Sequence, residues 1–436
     1  MSLQTVILGG GLAGLSAAYH LRTPYTLFEA RSQFGGIAGS FTVDGFTFDH
    51  AIHILFTRDP YASEFIRTIL ADNFEVRERS SWLYSYGTMT PYPYQANMRG
   101  LPRKVIAENL IGLARARIQR RSTRSANFEE WILANFGAGI AKHCMLPLNE
   151  KVWGVHPRSM STDWMDDRVP RTKLRDVLAG LRRNDDRGRF GTNGTFWYPK
   201  RGGMGALTEG IRRQVQNLHS ATRCVRIDAT SRTLTFADGS TASYDVLITS
   251  IPLHRLIDLL GEVPQSVFTA ARSLKWNTVH TVVLGIDRPN ISNKHWIYFP
   301  EREVLFQRIS FPMNFADDLA PSGTSSIMAE ITDSSDRPLE RDSLTDRTIE
   351  QLRRIGIVRS DDRILTRHCV TIEPAYVIYD WARPQAARII HEYLHGLGII
   401  PCGRFGDWEY LNMDQTILSG RRAAETVHRV HSEHVV

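Results

Sequence analysis

The spacing of apolar residues near the start of the chain predicts a strand, a glycine-rich turn, a helix and a second strand. The apolar run 6–8 leads into the turn GGGLAG at 9–14, and a helix-forming run follows at 15–21. The next apolar run, 25–28, ends at Glu29. A dinucleotide pyrophosphate requires this arrangement, because the turn lets the backbone approach the phosphates and the helix directs its first amides at their charge. The pattern therefore predicts a dinucleotide-binding unit.

The middle of the chain alternates between strand-like and helical patterns. In residues 82–97, aromatic and polar residues alternate on both sides of a turn, which predicts a hairpin. From 102 to 164 the apolar spacing is helical, with Asn127 as an N-cap and Gly137 as the expected end of a helix. The polar, glycine-containing stretch 183–195 predicts a mobile loop.

Strand patterns return in the second half of the chain. Residues 224–251 predict strands that rejoin the dinucleotide-binding unit, 276–330 predict further strands, and a final helix is expected from Asp414. The expected fold class is α/β, with a discontinuous Rossmann-type domain, an inserted helical subdomain and an antiparallel-sheet subdomain. The predicted boundaries are 1–80, 200–255 and 396–436 for the Rossmann-type domain, 100–182 for the helical subdomain, 183–195 for the loop, and 81–99 with 256–395 for the antiparallel sheet.

Composition and charge narrow the expected partners. No apolar run reaches the roughly 20 residues of a membrane span, and the four cysteines lie far apart without a C-x-x-C pair. We therefore expect a cytoplasmic protein with no membrane span and no metal site. The net charge of +7 owes much to the arginine-rich run 115–124, which we interpret as the solvated end of a helix. Because no nucleic-acid-binding motif accompanies it, no nucleic-acid partner is expected.

A second glycine pair, Gly35 and Gly36, follows shortly after Glu29. An acidic residue in the position of Glu29 binds a ribose hydroxyl of a dinucleotide. The added pair resembles the amine-oxidase-like flavoprotein superfamily, in which this loop also wraps the FAD, so the resemblance implies FAD rather than a nicotinamide dinucleotide. The cofactor-binding residues predicted on this basis are Gly9, Gly11, Gly14, Glu29, Arg31, Gly35, Gly36, Gly406 and Met413.

An ordered set of motifs extends from residue 91 to residue 414. The motifs are PYPYQAN at 91–97, NEKVWG at 149–154, RVP at 168–170, GTNGTFWYPKRGG at 191–203, FQRIS at 306–310, PAY at 374–376 and GRFGDWEYLNMD at 403–414. Together they resemble the UDP-galactopyranose mutase family and its nucleotide-sugar mutase relatives. The first block is most similar to the eukaryotic-type members, and the resemblance covers nearly the whole chain in the same order.

The resemblance implies an isomerase, a flavin-dependent mutase that interconverts the pyranose and furanose forms of a nucleoside-diphosphate sugar. In that family the FAD is active when reduced, and its N5 atom forms a covalent bond to the sugar while the diphosphate leaves, with no net redox change. The implied partners are a nucleoside-diphosphate sugar and a reductant, either NAD(P)H or a partner reductase. Homo-oligomerisation is left open.

The resemblance also implies roles for individual residues. Arg168 and Arg308 match two catalytic arginines that clamp the diphosphate, a task that suits the planar, permanently charged guanidinium. His53 matches the histidine beside the flavin, and Trp153 matches the tryptophan whose face limits movement of the sugar. The other substrate-binding matches are Tyr94, Gln95, Asn149, Asn193, Tyr376, Tyr410 and Asn412, of which Asn412 stands where bacterial relatives have aspartate.

One departure from the family concerns the nucleobase. Members hold uracil with aromatic residues five and nine positions before the tryptophan, where this chain has Leu148 and Cys144. Each lost stack removes roughly 1–3 kcal/mol of base binding. The sequence therefore leaves open the nucleotide (UDP, TDP or GDP) and the sugar, while Gln95 and Asn149 remain available to bind a base edge.

Two other functions stay open on the residues alone, because this fold supports several chemistries. An FAD oxidase or desaturase would share the turn at 9–14 and the pair Gly202–Gly203, without needing arginines that converge on a diphosphate. A non-catalytic flavin-binding or redox-sensing module would keep the FAD pattern and show no turnover of any sugar nucleotide.

Overall fold

The computed structural model describes residues 3–119, 125–165, 177, 180 and 194–435. Arg168, Asn193 and nearly all of the predicted loop 183–195 lie outside the described residues. The strands are β1 Thr5–Leu8, β2 Tyr25–Phe28, β3 Ser40–Val43, β4 Phe46–Asp49, β5 Glu75–Glu78, β6 Ser81–Ser85, β7 Thr88–Pro91, β8 Thr195–Tyr198, β9 Leu218–His219, β10 Cys224–Asp228, β11 Thr233–Phe236, β12 Thr241–Ser243, β13 Val246–Thr249, β14 Trp276–Ile286, β15 Trp296–Tyr298, β16 Arg308–Ser310, β17 Ser325–Asp333, β18 Ile364–Val377 and β19 Ile399–Pro401. The helices are α1 Leu12–His20, α2 Pro60–Leu70, α3 Arg103–Ile118, α4 Phe128–Ile140, α5 Leu146–Trp153, α6 Gly205–Arg212, α7 Leu253–Leu260, α8 Gln265–Ser273, α9 Leu344–Arg354, α10 Arg383–Gly396 and α11 Met413–Val435.

A five-stranded parallel sheet, in the order β19–β13–β1–β2–β9, carries the glycine-rich turn. β1 is its central strand, and Thr5 pairs with Tyr25 of β2 on one side and with Val246 of β13 on the other. Every residue of β1 and β13 is buried, as expected of parallel strands covered on both faces. Helices α1 and α11 pack against each other beside this sheet. The turn after β1 therefore lies at the carboxyl edge of a doubly wound sheet, where such folds bind ligands.

The predicted α/β fold class is confirmed, and the segment 224–251 forms strands as expected, although these strands belong to two different sheets. Of the segment 224–251, only β13 joins the parallel sheet, whereas β10, β11 and β12 form a separate three-stranded antiparallel sheet. The physical reason is burial, because these three strands leave many side chains exposed or half-buried. Such strands suit an antiparallel sheet with one wet face and not a parallel sheet covered on both faces.

A seven-stranded sheet, in the order β18–β14–β17–β16–β15–β6–β7, forms another wall of the molecule. Its pairs are antiparallel except for β15 with β6, which are parallel. The hairpin predicted within 82–97 is confirmed as β6 and β7, joined at Tyr86 and Gly87. The long strands β14 and β17 are almost entirely buried.

Among the residues that the structure describes, the helical layer is formed by α3, α4 and α5. Helix α4 is interrupted at Gly137, whose backbone is non-helical, so the predicted helix end is confirmed there, and a second helical segment continues to Ile140 across the kink. Gly137 lies at a kink with φ of 75°, and a Cβ there would stand 2.1 Å from the carbonyl oxygen of Gly112 in α3. This glycine therefore allows α3 and α4 to pack closely against each other. A π-helix at Ala141–Met145 follows, and two residues after it stands Pro147, which has no amide hydrogen for the regular helical bond.

Across the described part of the chain, no helix combines the length and the apolar character that crossing a membrane would need.

Candidate active site

A cavity of about 750 Å³ lies between the parallel-sheet domain, the helical layer and the seven-stranded sheet. Its walls come from the segment 51–59, from α5, from the strands β15 to β18 and from the start of α11. The structure brings together in this cavity most of the predicted site residues that it describes, namely His53, Tyr94, Gln95, Asn149, Trp153, Arg308, Tyr376, Tyr410, Asn412 and Met413.

The glycine-rich turn fits a dinucleotide pyrophosphate. A Cβ on Gly14 would stand 1.9 Å from the carbonyl oxygen of Gly9, so only glycine allows α1 to begin this close to β1. At Gly11, the N-cap of α1, a Cβ would meet nothing nearer than the Cα of Gly36 at 3.8 Å. The start of α1 is therefore open and bare of side chains. An anion at a helix start accepts hydrogen bonds from the first amides and is favoured by the helix dipole.

Glu29 lies beside this turn, at the end of β2. Its carboxylate accepts a hydrogen bond from the amide of Gly10 at 2.7 Å and another from the amide of Arg31 at 2.8 Å. The amide of Gly35 donates to the carbonyl oxygen of Gly10 at 2.8 Å, which ties the two glycine segments together. The remaining lone pairs of Glu29 can accept ribose hydroxyls, so these residues fit a bound dinucleotide.

The predicted cofactor residues near the C-terminus lie farther along the same side of the domain. Gly406 belongs to a π-helix at Arg404–Trp408, and its carbonyl oxygen accepts a hydrogen bond from Nε2 of His391 at 2.9 Å. Met413 is the first residue of α11 and lines the cavity. The contacts therefore place Met413 at the cavity, whereas the described role of Gly406 is to anchor the π-helix to α10.

His53 is a neutral imidazole at the cavity. Its Nδ1–H donates to the carbonyl oxygen of Ala51 at 2.8 Å. Burial, followed by the positive charge of Arg404, lowers the pKa of His53 to about 3. At neutral pH its Nε2 therefore carries no proton and can only accept a hydrogen bond.

Arg308 and Glu330 form a buried ion pair across two strands. They stand directly opposite each other in the register of β16 with β17. Nε of Arg308 donates to Oε2 of Glu330 at 2.7 Å, Nη2 lies 2.6 Å from the same oxygen, and the side chains are 17% and 4% exposed. Burial alone would lower the pKa of the Arg308 guanidinium, but the Glu330 charge offsets this and the pKa rises above its ordinary value. Among the described residues, Glu330 is the hydrogen-bond partner found for this guanidinium.

Arg404 supplies a second cation, which the sequence analysis did not single out. Its guanidinium carbon lies 5.3 Å from the ring centre of Tyr410 and 5.7 Å from that of Tyr376. Nε and Nη2 donate to the carbonyl oxygen of Leu411 at 3.1 and 2.7 Å, which holds the side chain in place. Its position in the motif GRFGDWEYLNMD was the available signal. Glu330 was also missed, because its partnership with Arg308 follows only from the strand register.

Three aromatic side chains, Trp153, Tyr376 and Tyr410, form one wall of the cavity. Their ring centres are 5.7 Å apart for Trp153 with Tyr376, 5.5 Å for Trp153 with Tyr410 and 5.6 Å for the two tyrosines. Burial and then the nearby Tyr410 raise the pKa of Tyr376, so its hydroxyl stays protonated and can donate to an anion. The rings are inclined to one another by 65°, 73° and 58°, so they form an angled aromatic wall and not a single flat face.

The other end of the cavity carries the residues predicted to face a nucleobase. Nδ2 of Asn149 donates to the carbonyl oxygen of Met145 at 2.7 Å, so its Oδ1 is the atom that can accept from a ligand. The hydroxyl of Tyr94 accepts from Asn109 at 3.1 Å. Cys144 lines this end, where burial raises the pKa of its thiol, so the thiol is neutral.

Asn412 lies at the cavity where α11 begins. Its amide donates to Oε1 of Gln415 at 2.9 Å, and its carbonyl oxygen accepts from the amide and the hydroxyl of Thr416. Asn412 therefore fixes the start of this helix as well as lining the site. Among the residues that the structure describes, no cluster of three histidine, cysteine, aspartate or glutamate side chains could hold a metal ion.

The chain belongs to the family of flavin containing amine oxidoreductases, whose model matches residues 12–428. Its fold is similar to that of reduced UDP-galactopyranose mutase, with a TM-score of 0.93 and 28% identity over 99% of this chain and 94% of that chain. A putrescine oxidase bound to putrescine has a TM-score of 0.66 and 14% identity over 98% of this chain and 99% of that chain. The coproporphyrinogen III oxidase of Bacillus subtilis (strain 168) is 20% identical over 67% of this chain and 68% of that protein.

These similarities confirm the family resemblance stated from the motifs. The two oxidases are less than 25% identical to this chain, so they show a shared fold alone. The family is flavin-containing, and the glycine turn with Glu29 fits a dinucleotide, so a flavin is the cofactor that both observations indicate.

Proposed function

We propose that the protein is an FAD-dependent isomerase that interconverts the pyranose and furanose forms of a nucleoside-diphosphate sugar without net redox change. The observation that carries the proposal is the convergence, in one cavity beside a dinucleotide-binding turn, of two arginines and three aromatic rings. The arginines are Arg308 and Arg404, and the rings are those of Trp153, Tyr376 and Tyr410. The similarity to reduced UDP-galactopyranose mutase supports the same reaction class.

The charges of the cavity favour an anionic substrate. Arg308 donates through Nε to Glu330, which orients the guanidinium, and its remaining N–H groups can bind a ligand. Arg404 stands against Tyr376 and Tyr410, whose hydroxyls can donate at the same place. Fixed cations and donors of this kind stabilise negative charge that develops on a leaving diphosphate, because they need no reorganisation during the reaction. A diamine would meet two guanidinium groups here, which disfavours the chemistry of a putrescine oxidase.

The remaining residues position the sugar and the cofactor. Gly9, Gly11, Gly14 and Glu29 would hold FAD, which when bound and reduced supplies a nucleophilic nitrogen for the anomeric carbon. The ring of Trp153 restricts the sugar to one face of the cavity. His53, neutral and committed through Nδ1–H to Ala51, offers only Nε2 as an acceptor to groups beside it.

Two residues outside the described part of the chain would also contact the substrate. Arg168 would bind the diphosphate, and Asn193 would contact another part of the substrate. A reductant, either NAD(P)H or a partner reductase, would keep the flavin reduced in the cytoplasm. We also propose the domain boundaries that were predicted from the sequence.

The test is turnover of a sugar-nucleotide panel by the reduced holoenzyme. Protein loaded with FAD and reduced with dithionite under anaerobic conditions is incubated with UDP-, TDP- and GDP-sugars, and the products are separated by chromatography and identified by NMR. A pyranose–furanose pair at equilibrium supports the proposal. Peroxide formation or oxidation of an added amine would support the oxidase alternative, and a flavin-loaded protein without any turnover would support the binding-module alternative.

A further inference from the structure

Asn277 is a polar residue of β14 that is only 1% exposed. It is not among the described residues that line the cavity, but its side chain contacts the backbone of two of the cavity walls. We propose that Asn277 is a positioning residue that fixes Trp153 and Tyr376 relative to each other. The inference rests on the proposed function for its kinetic consequence, and one of its tests is independent of turnover.

The first contact of Asn277 is with the end of α5. The last carbonyl groups of a helix have no amide partner inside the helix. Nδ2 of Asn277 donates to the carbonyl oxygen of Val152 at 3.1 Å and to that of Trp153 at 2.9 Å. The hydroxyl of Thr332 donates to the same Val152 oxygen at 3.2 Å. Because Gly154 ends the helix with φ of 75°, these bonds fix the backbone from which the Trp153 ring projects.

The second contact is with strand β18. Asn277 stands opposite Tyr376, next to a register irregularity between Asn277 and Val279. Oδ1 of Asn277 accepts a hydrogen bond from the backbone amide of Tyr376 at 2.9 Å. The rings of Trp153 and Tyr376 meet edge to face with an interplanar angle of 65°. A single side chain therefore ties together the backbones that carry both rings.

Only a carboxamide can make all of these bonds at this position. Asparagine has two N–H donors on Nδ2 and an acceptor on Oδ1. Here the two donors bind the carbonyl oxygens of Val152 and Trp153, and the acceptor binds the amide of Tyr376. An aspartate would accept from the Tyr376 amide but would direct a negative charge at the carbonyl oxygens of Val152 and Trp153. The end of α5 would then move away from β14, and the Trp153 ring would move with it.

The experiment compares Asn277→Asp with a matched control, Thr332→Val, in the reduced holoenzyme. The control removes one donor to the Val152 carbonyl and leaves the contacts of Asn277 in place. A protonated carboxyl can donate one hydrogen bond, so the aspartate variant regains a donor as the pH falls. The same pH series is measured on the wild type and on the control. A change with pH in those two proteins comes from other side chains on the surrounding elements, such as Glu150, Lys151, Asp333 and Tyr376, and is subtracted.

We expect the aspartate variant to bind FAD normally and to lose about tenfold or more in kcat near pH 8.5, with KM within about threefold of wild type, because the sugar is misplaced rather than unbound. Part of the loss should be recovered near pH 6. Thr332→Val should stay within about twofold of wild type throughout, since Asn277 still holds the same carbonyl. A folded, FAD-loaded aspartate variant with wild-type kcat at both pH values would overturn the proposal.

The readout independent of turnover is fluorine NMR of protein labelled with 5-fluorotryptophan. The Trp153 resonance, assigned with Trp153→Phe, should shift in the aspartate variant and return towards its wild-type position over the same pH range. An unchanged resonance overturns the positioning role. A shifted resonance in a protein whose wild type turns over no sugar nucleotide would keep the positioning role and reject the proposed function.

A second variant covers the case in which the aspartate variant fails to fold. Asn277→Ser keeps one donor and lacks the negative charge. It should show the same displacement of the Trp153 resonance and the same loss in kcat, without recovery at low pH. A folded serine variant with both readouts at wild-type values would overturn the proposal.

Discussion

Replacing Arg308 with alanine tests the diphosphate clamp. The substitution removes a cation whose side chain is 17% exposed, together with the N–H groups proposed to bind the diphosphate. It also leaves Glu330, whose side chain is 4% exposed, without its guanidinium partner beside the proposed diphosphate site. Both effects act against negative charge in the transition state, so we expect the variant to bind FAD normally and to be strongly impaired in catalysis.

The size of the expected effect follows from the burial of the pair. Truncating one partner of a buried, hydrogen-bonded charge pair at a binding site costs about 2–5 kcal/mol. At about 1.36 kcal/mol for each tenfold change, this range corresponds to a loss of roughly 30- to 5,000-fold in kcat/KM. Part of that loss comes from the unneutralised Glu330, so Arg308→Ala combined with Glu330→Gln should recover some activity relative to Arg308→Ala alone.

The assay measures kcat and KM of the reduced holoenzyme for a sugar nucleotide, with FAD content determined from flavin absorbance. Arg308→Lys is the matched control for charge, since it keeps a cation but loses the planar guanidinium and its Nε–H bond to Glu330. It should lie between the wild type and the alanine variant. If Arg308→Ala leaves kcat and kcat/KM near wild type, the arginine does not contact the diphosphate and the clamp assignment is refuted.

Three further predictions concern the cofactor, the cavity histidine and the nucleobase. Gly14→Ala should lose FAD, because the added Cβ would lie 1.9 Å from the Gly9 carbonyl oxygen; yellow protein at wild-type occupancy would contradict this. Burial lowers the pKa of His53 to about 3, below the value of about 6.5 in the unfolded chain. The free energy of unfolding therefore keeps its full contribution from His53 above about pH 6.5 and falls at lower pH by at most about 1.4 kcal/mol per pH unit. Denaturant unfolding of the wild type and of His53→Gln over this range measures the effect. With Cys144 and Leu148 replacing aromatics, GDP or TDP should outcompete UDP for the reduced enzyme; preference for UDP would disprove this.

Local sequence patterns were sufficient for the parts of the fold that depend on neighbouring residues. The strand, glycine turn and helix at the start of the chain, and the hairpin of β6 and β7, follow from short-range spacing and turn chemistry. Gly137 was correctly expected to end a regular helix, since its backbone is non-helical. Its contact with Gly112 of α3 could not be predicted, because it depends on how two helices pack against each other.

The site residues that the sequence did not reveal act through distant partners. Glu330 pairs with Arg308 because the register of β16 with β17 places the two residues opposite each other. Asn277 contacts residues 124 and 99 positions away in the chain, and no spacing rule connects them. Arg404 lies inside a recognised motif, but its role depends on the rings that fold around it. Motifs identify residues that contact a ligand more readily than residues that hold those contacts in place.

In the proposed reaction a redox cofactor acts without net redox change. The number of reductant molecules consumed for each sugar converted tests this most directly, measured in the anaerobic holoenzyme with NAD(P)H or limiting dithionite. We expect many interconversions for each reduction of the flavin and none with oxidised flavin. Equal turnover with oxidised flavin, or one NAD(P)H oxidised for each product molecule, would contradict it.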